Sequence, residues 1–81
     1  MKISKAINAA MAIFNKEGKG EIRTVDLQEG SGNGDNWSQL LIRIGYAIDG
    51  DYTESDKSPF EVNVYESEGK IKAERIKDWR D

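Results

Sequence analysis

The sequence predicts an α+β fold in which an N-terminal helix packs on an antiparallel four-stranded β-meander. Apolar residues first recur with a helical period and then, after residue 20, with a period of two. Four strand-like segments follow the helix, and turn residues dominate every connection between them. Short connections favour antiparallel neighbours, because parallel strands need long crossovers. At 81 residues the chain has room for one domain, residues 1–81.

The first part of the chain has apolar positions spaced along one face of a helix. They fall at i, i+4, i+7, i+8 and i+11 and are Ile3, Ile7, Ala10, Met11 and Phe14. The spacing predicts a helix over residues 4–17, with an N-cap at Ser4 and an end at Gly18. The apolar face needs a partner, so Ile7 should lie close to the core face of the sheet, near Ile44.

The next two segments alternate apolar and polar residues. Residues 22–29 form the first predicted strand, and residues 37–48 form the second, which has the clearest pattern. Side chains of a strand alternate between faces. One set of the second strand should therefore face the core: Leu40, Ile42, Ile44, Tyr46 and Ile48. Leu41 and Arg43 then belong to the opposite face.

The last two segments complete the sheet. Residues 60–65 predict a strand with Phe60 inward and Tyr65 outward, and residues 67–69 form a turn into a fourth strand at residues 70–76. The tail, residues 74–81, has two interpretations. It continues as a strand, or it becomes helical and brings Ile76 and Trp79 together.

One helix followed by antiparallel strands resembles the order of elements in cystatins and in the first part of double-stranded-RNA-binding domains. The glutamine-x-valine-x-glycine hairpin of cystatins has no counterpart, the nearest stretch being Gln28-Glu29-Gly30-Ser31-Gly32. Residues 72–81 mix charge signs where the RNA binders have a basic helix. The resemblance therefore implies an architecture and carries over neither function.

Composition excludes several kinds of chemistry. The chain has no cysteine and no histidine, which removes thiol nucleophiles, histidine bases, disulfides and the usual zinc sites. We expect no enzyme activity, no cofactor and no metal requirement, because the clustered carboxylates lie in a loop without the depth of a pocket.

The lack of cysteine suits a reducing compartment and predicts a cytoplasmic location. No run approaches the about 20 apolar residues of a membrane span.

Glycine recurs in residues 30–34, as it does in phosphate-binding loops. This run falls between two strands, no helix follows it, and Glu29 and Asp35 flank it with negative charge. We therefore interpret residues 29–36 as a flexible hairpin loop.

Residues 49–56 place oxygen ligands at alternate positions, as a calcium-binding loop begins. Glu54 occupies the position where an EF-hand needs glycine, and Phe60 occupies that of the closing glutamate. We therefore interpret residues 49–59 as an acidic, solvated connection.

Charge is segregated along the chain. Residues 1–23 carry five Lys/Arg and two Asp/Glu, residues 24–68 carry two and ten, and residues 69–81 carry five and three. The middle segment cannot bind phosphate, because nucleic-acid affinity comes mainly from Lys and Arg. It suits a basic protein surface.

These patterns predict a non-catalytic protein-binding domain that occupies a basic surface of its partner. In general character it resembles the small acidic anti-restriction and anti-CRISPR inhibitors of phages. The predicted contact residues combine the acidic loop with outward positions of the sheet: Asp49, Asp51, Tyr52, Glu54, Asp56, Leu41 and Tyr65.

Two alternatives belong to other classes. The first is a nucleic-acid-binding module that uses the basic N-terminal and C-terminal segments, provided that the fold brings them together. The second is a small structural or oligomeric subunit that pairs through a sheet edge.

Overall fold

A computed structural model describes residues 1–52 and 60–80, and in it one helix covers one face of an antiparallel sheet. The strands follow the order β1-β2-β4-β5, and β3 pairs with the end of β2. The predicted α+β meander of four strands is confirmed, with β3 as a two-residue addition. The elements are α1 (Ile3–Glu17), β1 (Glu21–Asn33), β2 (Asn36–Ile48), β3 (Asp51–Tyr52), β4 (Phe60–Ser67) and β5 (Lys70–Asp78).

Helix α1 begins one residue before its predicted start and ends where predicted. The predicted N-cap at Ser4 is wrong: Lys2 precedes the helix, and no side chain caps it. At the other end the backbone N–H of Gly18 donates to the carbonyl oxygen of Phe14 at 2.7 Å. This bond satisfies one of the carbonyls that a helix end leaves without a partner.

Two alanines and one phenylalanine form the centre of the buried helix face. Ala6, Ala10 and Phe14 are buried, whereas Ile3 and Ile7 are half-buried at its flanks. Alanines at the centre let the helix backbone approach the sheet closely, and the larger side chains fill the space on either side.

The core faces of β2 and β4 agree with the predicted alternation. Leu40, Ile42, Ile44 and Tyr46 of β2 and Phe60, Val62 and Val64 of β4 are all buried. The rings of Phe14, Tyr46 and Phe60 pack together with centroids 5.1 to 6.5 Å apart. Ile7 packs against this same cluster, which contains Ile44.

Within the described residues, no helix is long and apolar enough to cross a membrane.

The predicted loop at residues 29–36 is wrong. Strand β1 continues to Asn33, and Gly34 and Asp35 alone form the turn. The glycines are strand residues that allow close packing. A Cβ on Gly30 would lie 2.5 Å from the carbonyl oxygen of Gln39, and one on Gly32 would lie 2.6 Å from the Cα of Trp37. Glycine in a strand often marks such a close approach.

The connection between β2 and β4 is also more ordered at its start than predicted. Asp49 and Gly50 both have positive φ, 49° and 86°, as a two-residue hairpin turn requires. The backbone then returns along β2, so that Asp51 pairs with Ile48 and Tyr52 with Ala47. At the C-terminus, β5 extends to Asp78, which selects the strand interpretation of the tail over the helical one.

Candidate binding face and the clusters around it

Helix α1 covers one face of the sheet, and no other described element covers the opposite face. We call this opposite face the open face. The register places residues from all four long strands on it: Glu21, Asp26 and Glu29 of β1, Gln39, Leu41, Arg43 and Ala47 of β2, Glu61, Asn63 and Tyr65 of β4, and Lys72, Glu74 and Lys77 of β5.

Polar pairs between β2 and β4 frame the centre of the open face. The amide Nε2 of Gln39 donates to Oδ1 of Asn63 at 2.6 Å, and Nε of Arg43 donates to Oε1 of Glu61 at 3.2 Å. The Arg43 and Glu61 side chains are only 20% and 13% exposed. Such cross-strand pairs contribute about 0.2–1 kcal/mol each. Their main effect is to hold these side chains in place around the residues between them.

Leu41 and Tyr65 are large apolar residues on this face, and both are half-buried. Leu41 lies opposite Asn63 and Tyr65 lies opposite Gln39, so the two occupy diagonal positions. The hydrogen bond between Gln39 and Asn63 spans the other diagonal and runs between them. Both contact residues that were predicted on the sheet therefore lie on the open face, one on each side of this polar pair.

Of the predicted acidic contact residues, Asp49 lies at another place. Asp49 is exposed in the turn after β2, and with Glu21, Arg23 and Gly50 it borders an open hollow of about 660 Å³. Asp49 is eight positions after Leu41, which is about 26 Å along a strand. Leu41, Tyr65 and Asp49 therefore do not form one compact patch.

The structure describes only part of the rest of the predicted loop. The backbones of Asp51 and Tyr52 lie in β3, next to the end of β2. Glu54 and Asp56 lie outside the described residues.

A buried polar cluster at the end of the core was not predicted. The hydroxyl of Tyr46 donates to Oδ1 of Asp78 at 2.6 Å, and Nη2 of Arg80 donates to Oδ2 of Asp78 at 2.6 Å. The guanidinium of Arg80 also lies 5.2 Å from the centre of the Tyr46 ring, and the ring of Trp79 packs against Tyr46 at 6.5 Å. These contacts hold residues 78–80 against the core.

Burial and hydrogen bonding shift the titration of this cluster. Burial, with the hydrogen bond to Asp78, raises the pKa of Tyr46 from 10.0 to about 12. Burial alone would also raise the pKa of Asp78, but the hydrogen bonds from Tyr46 and Arg80 outweigh it and hold that pKa below its usual value. Asp78 is consequently ionised and Tyr46 neutral at pH 7. The sequence contains one signal for this cluster, since a buried tyrosine hydroxyl needs a partner.

A second unpredicted feature surrounds Trp37. Its indole Nε1 donates to the carbonyl oxygen of Gly34 at 2.7 Å, and its ring lies over Gly30 and Gly32. Beside it is a shallow apolar pocket of about 220 Å³ on the helix side of the sheet. The residues that line it are Leu27, Gln28, Glu29, Gly30, Trp37 and Leu40.

Within residues 1–52 and 60–80, no group of three or more acidic side chains is arranged to hold a metal ion. No model of a protein family, no curated protein and no solved structure matches the chain.

Proposed function

We propose that this chain is a non-catalytic protein-binding domain that contacts a basic surface of its partner through the open face. The observation that carries the proposal is the arrangement at the centre of that face. Leu41 and Tyr65 are half-buried apolar side chains beside two hydrogen-bonded polar pairs, on a side of the sheet that the helix does not cover. Aromatic and aliphatic anchors inside a polar surround are typical of interface centres.

The charge on the β1 side of this centre supports a basic partner, whereas Lys72 and Lys77 lie on its β5 side. Glu21, Asp26 and Glu29 of β1 border it, and the turn at Asp49 begins the acidic connection. Opposite charges across an interface speed encounter and exclude wrong partners. Small acidic inhibitors that block basic clefts work in this way. We propose that this domain is such an inhibitor. The absence of cysteine suits a reducing compartment, so we place its action in the cytoplasm.

Differential capture tests this proposal. The parent protein, the double variant Leu41→Thr/Tyr65→Thr and the control Asn8→Ala/Asn15→Ala serve as immobilised baits in lysate of the native host. The control residues are exposed on the helix, away from the open face. We expect a protein that parent and control retain equally and that the Thr variant loses by about tenfold or more. Identical retention by all three baits would disprove a contact through Leu41 and Tyr65.

A nucleic-acid-binding module is the second candidate, because the fold brings the two basic segments together. Helix α1 packs beside β5, and Arg75 of β5 pairs with Glu17 of α1 at 3.6 Å. Exposed lysines lie on both elements and next to them, with Lys72 and Lys77 on the open face of β5. They are Lys2, Lys5, Lys16, Lys19, Lys70, Lys72 and Lys77.

A gel shift with random-sequence DNA and RNA at several salt concentrations distinguishes the two candidates. Phosphate binding through these lysines predicts an affinity that falls steeply with salt and that Lys16→Glu/Lys72→Glu removes. The protein-binding proposal predicts no shift at physiological salt.

A further inference from the structure

Strand β1 is the terminal strand of the described sheet, with β2 as its one strand neighbour. Along a terminal strand, alternate backbone N–H and C=O groups point away from the neighbour and can pair with another extended chain. Helix α1 packs on β2, β4 and β5. The core-side surface of β1 therefore receives less cover than that of its neighbours, and Leu27, which lies on that side opposite Ile42, is 38% exposed.

The pocket beside Trp37 lies directly next to this edge. Leu27, Trp37 and Leu40 provide its apolar walls, and the backbone of Gly30 forms part of its floor. A Cβ on Gly30 would lie 2.6 Å from Cδ2 of Leu40. The lack of a side chain at Gly30 therefore leaves space in the pocket. A chain that ran along β1 could place one apolar side chain in the pocket from a position facing the core side.

The other side of β1 is acidic. Asp26 and Glu29 face the open side of the sheet, opposite Arg43 and Leu41 of β2. Arg43 is paired with Glu61 at 3.2 Å. Among the described residues, Asp26 and Glu29 therefore remain without an ion pair. In an added strand, the residues next to the pocket-filling one would face these carboxylates.

We propose that β1 is a docking edge for a short extended segment of a partner protein that alternates an apolar residue with Lys or Arg. The apolar side chain enters the pocket of Leu27, Trp37 and Leu40, and the basic side chains meet Asp26 and Glu29. Backbone pairing supplies affinity, while the pocket and the charges supply specificity, as in other strand additions. This site is separate from the centre of the open face, and its test does not depend on that proposal.

The charge of β1 favours a short basic segment over a second copy of this chain. Pairing of β1 with the β1 of another copy would bring its carboxylates together, and like charges directly opposite each other are destabilising.

A synthetic peptide that alternates lysine and valine provides the probe. Fluorescence anisotropy of the labelled peptide gives the affinity, and emission of Trp37 in a Trp79→Phe background reports occupancy of the pocket. A control peptide of the same sequence carries N-methyl groups on all its backbone amides, which keeps its charge and removes its strand-pairing donors. Leu27→Ser tests the pocket, and Ile76→Ser, at a residue 55% exposed on the opposite edge strand, is its matched control.

We expect the parent and Ile76→Ser to bind the peptide equally and with a change in Trp37 emission. Leu27→Ser and the N-methylated peptide should each weaken binding by about tenfold at constant salt. If Leu27→Ser proves unstable in a thermal melt, Glu29→Lys at the pocket rim replaces it and should weaken binding at least threefold, about the effect of a rim charge.

Three results would overturn the proposal. Equal binding of both peptides by all variants would show that binding is general charge attraction. Failure of the parent to bind the peptide at low salt would show that β1 is not a docking edge. Sedimentation that shows the parent pairing with itself through β1, blocked by Glu29→Lys or Leu27→Ser, would make a second copy the occupant.

Discussion

The hydroxyl of Tyr46 connects the core of the sheet to the end of the chain. Tyr46 and Asp78 are 0% and 3% exposed, and their hydrogen bond joins residues 32 positions apart. A buried carboxylate is costly unless it is paired and hydrogen-bonded. Here Arg80 supplies the charge and Tyr46 the additional donor, so Asp78 ends β5 inside the core without an unsatisfied oxygen.

This cluster predicts how stability depends on acid. Because the folded pKa of Asp78 is lowered, its contribution is present above the unfolded value of 3.8 and is lost as pH falls through the folded pKa. Asp78→Asn should therefore be least stable relative to the parent near pH 7, with a difference that shrinks below about pH 4. Urea unfolding at a series of pH values measures it. A difference that stays constant down to pH 2 would contradict this role.

Core and open-face residues alternate along β2, and their substitutions should differ accordingly. Ile44 is 0% exposed, so Ile44→Ala should lower the free energy of unfolding by about 2–5 kcal/mol. Arg43→Ala, on the open face, removes the pair with Glu61 but leaves the core intact, so it should lower the free energy of unfolding by less than Ile44→Ala does. Denaturant titration compares them. Unfolding of Ile44→Ala no earlier than Arg43→Ala would mean that the faces of β2 are reversed.

At the level of the elements, the hairpin of β1 and β2 depends on glycines inside a strand. Trp37 covers Gly30 and Gly32 and bonds the carbonyl oxygen of Gly34, so one side chain fixes the part of the hairpin that carries the glycines. A flexible loop and this packed hairpin predict opposite effects of the same substitution.

Gly30→Ala separates the two cases. In the hairpin the added Cβ meets the carbonyl oxygen of Gln39, and overpacking of this kind costs about 1–3 kcal/mol. In a flexible loop, Gly→Ala would be neutral or would stabilise by about 0.4–1 kcal/mol. Thermal and urea unfolding, with the neighbouring exposed Ser31→Ala as the control, give the sign. A stabilised Gly30→Ala would restore the loop interpretation.

The sequence predicted elements whose pattern is local and periodic. The helix, the alternation of β2 and β4 and the glycine stop at Gly18 follow from spacing alone. The extension of β1 to Asn33 does not, because glycine normally weakens a strand and only its contact with Trp37 stabilises it here. The two-residue strand β3 depends on the pairing of Tyr52 with Ala47, which is likewise a tertiary contact.

The same limit applies to the candidate sites. Alternation placed Leu41 and Tyr65 on the outward face, and the register sets them at diagonal positions, which spacing could not establish across two strands. The cluster of Tyr46, Asp78 and Arg80 joins distant parts of the chain and leaves no local pattern. The pocket beside Trp37 is lined by residues of both β1 and β2, so it too depends on strand pairing.

The whole molecule separates its charges across the sheet. Strand β1 at one edge carries three carboxylates and one arginine, whereas β5 at the other carries four Lys/Arg and two carboxylates, beside the lysines of the helix. The described chain is 39 Å long and 21 × 18 Å across. Length and polarity of this kind favour a partner that approaches in one orientation.

The acidic connection after β2 should control the rate of encounter with a basic partner. Replacement of Asp49, Asp51, Glu54 and Asp56 by lysine should slow association by an order of magnitude or more and flatten its salt dependence. The single reversal Glu68→Lys, in the turn between β4 and β5, is the control and should have little effect. Stopped-flow or surface-based kinetics with the captured partner measure both. Unchanged association of the fourfold variant would make the connection a solvated turn.

Tyr52→Ala should act on the other rate constant. If the ring packs against the partner as an anchor, its removal should speed dissociation and leave the salt dependence unchanged. The same kinetic experiment tests this. Slower association with an unchanged dissociation rate would contradict an anchoring role.

Hydroxyl-radical footprinting of the chain, alone and bound to its captured partner, tests the proposed binding face most directly. Oxidation rates of Leu41 and Tyr65 report the open face, while Trp79, 45% exposed beyond β5, serves as an internal reference away from it. Burial of an interface centre excludes water and should lower both rates by about tenfold, with the rate at Trp79 unchanged. Leu41 and Tyr65 that oxidise as fast in the complex as in the free protein would contradict the account.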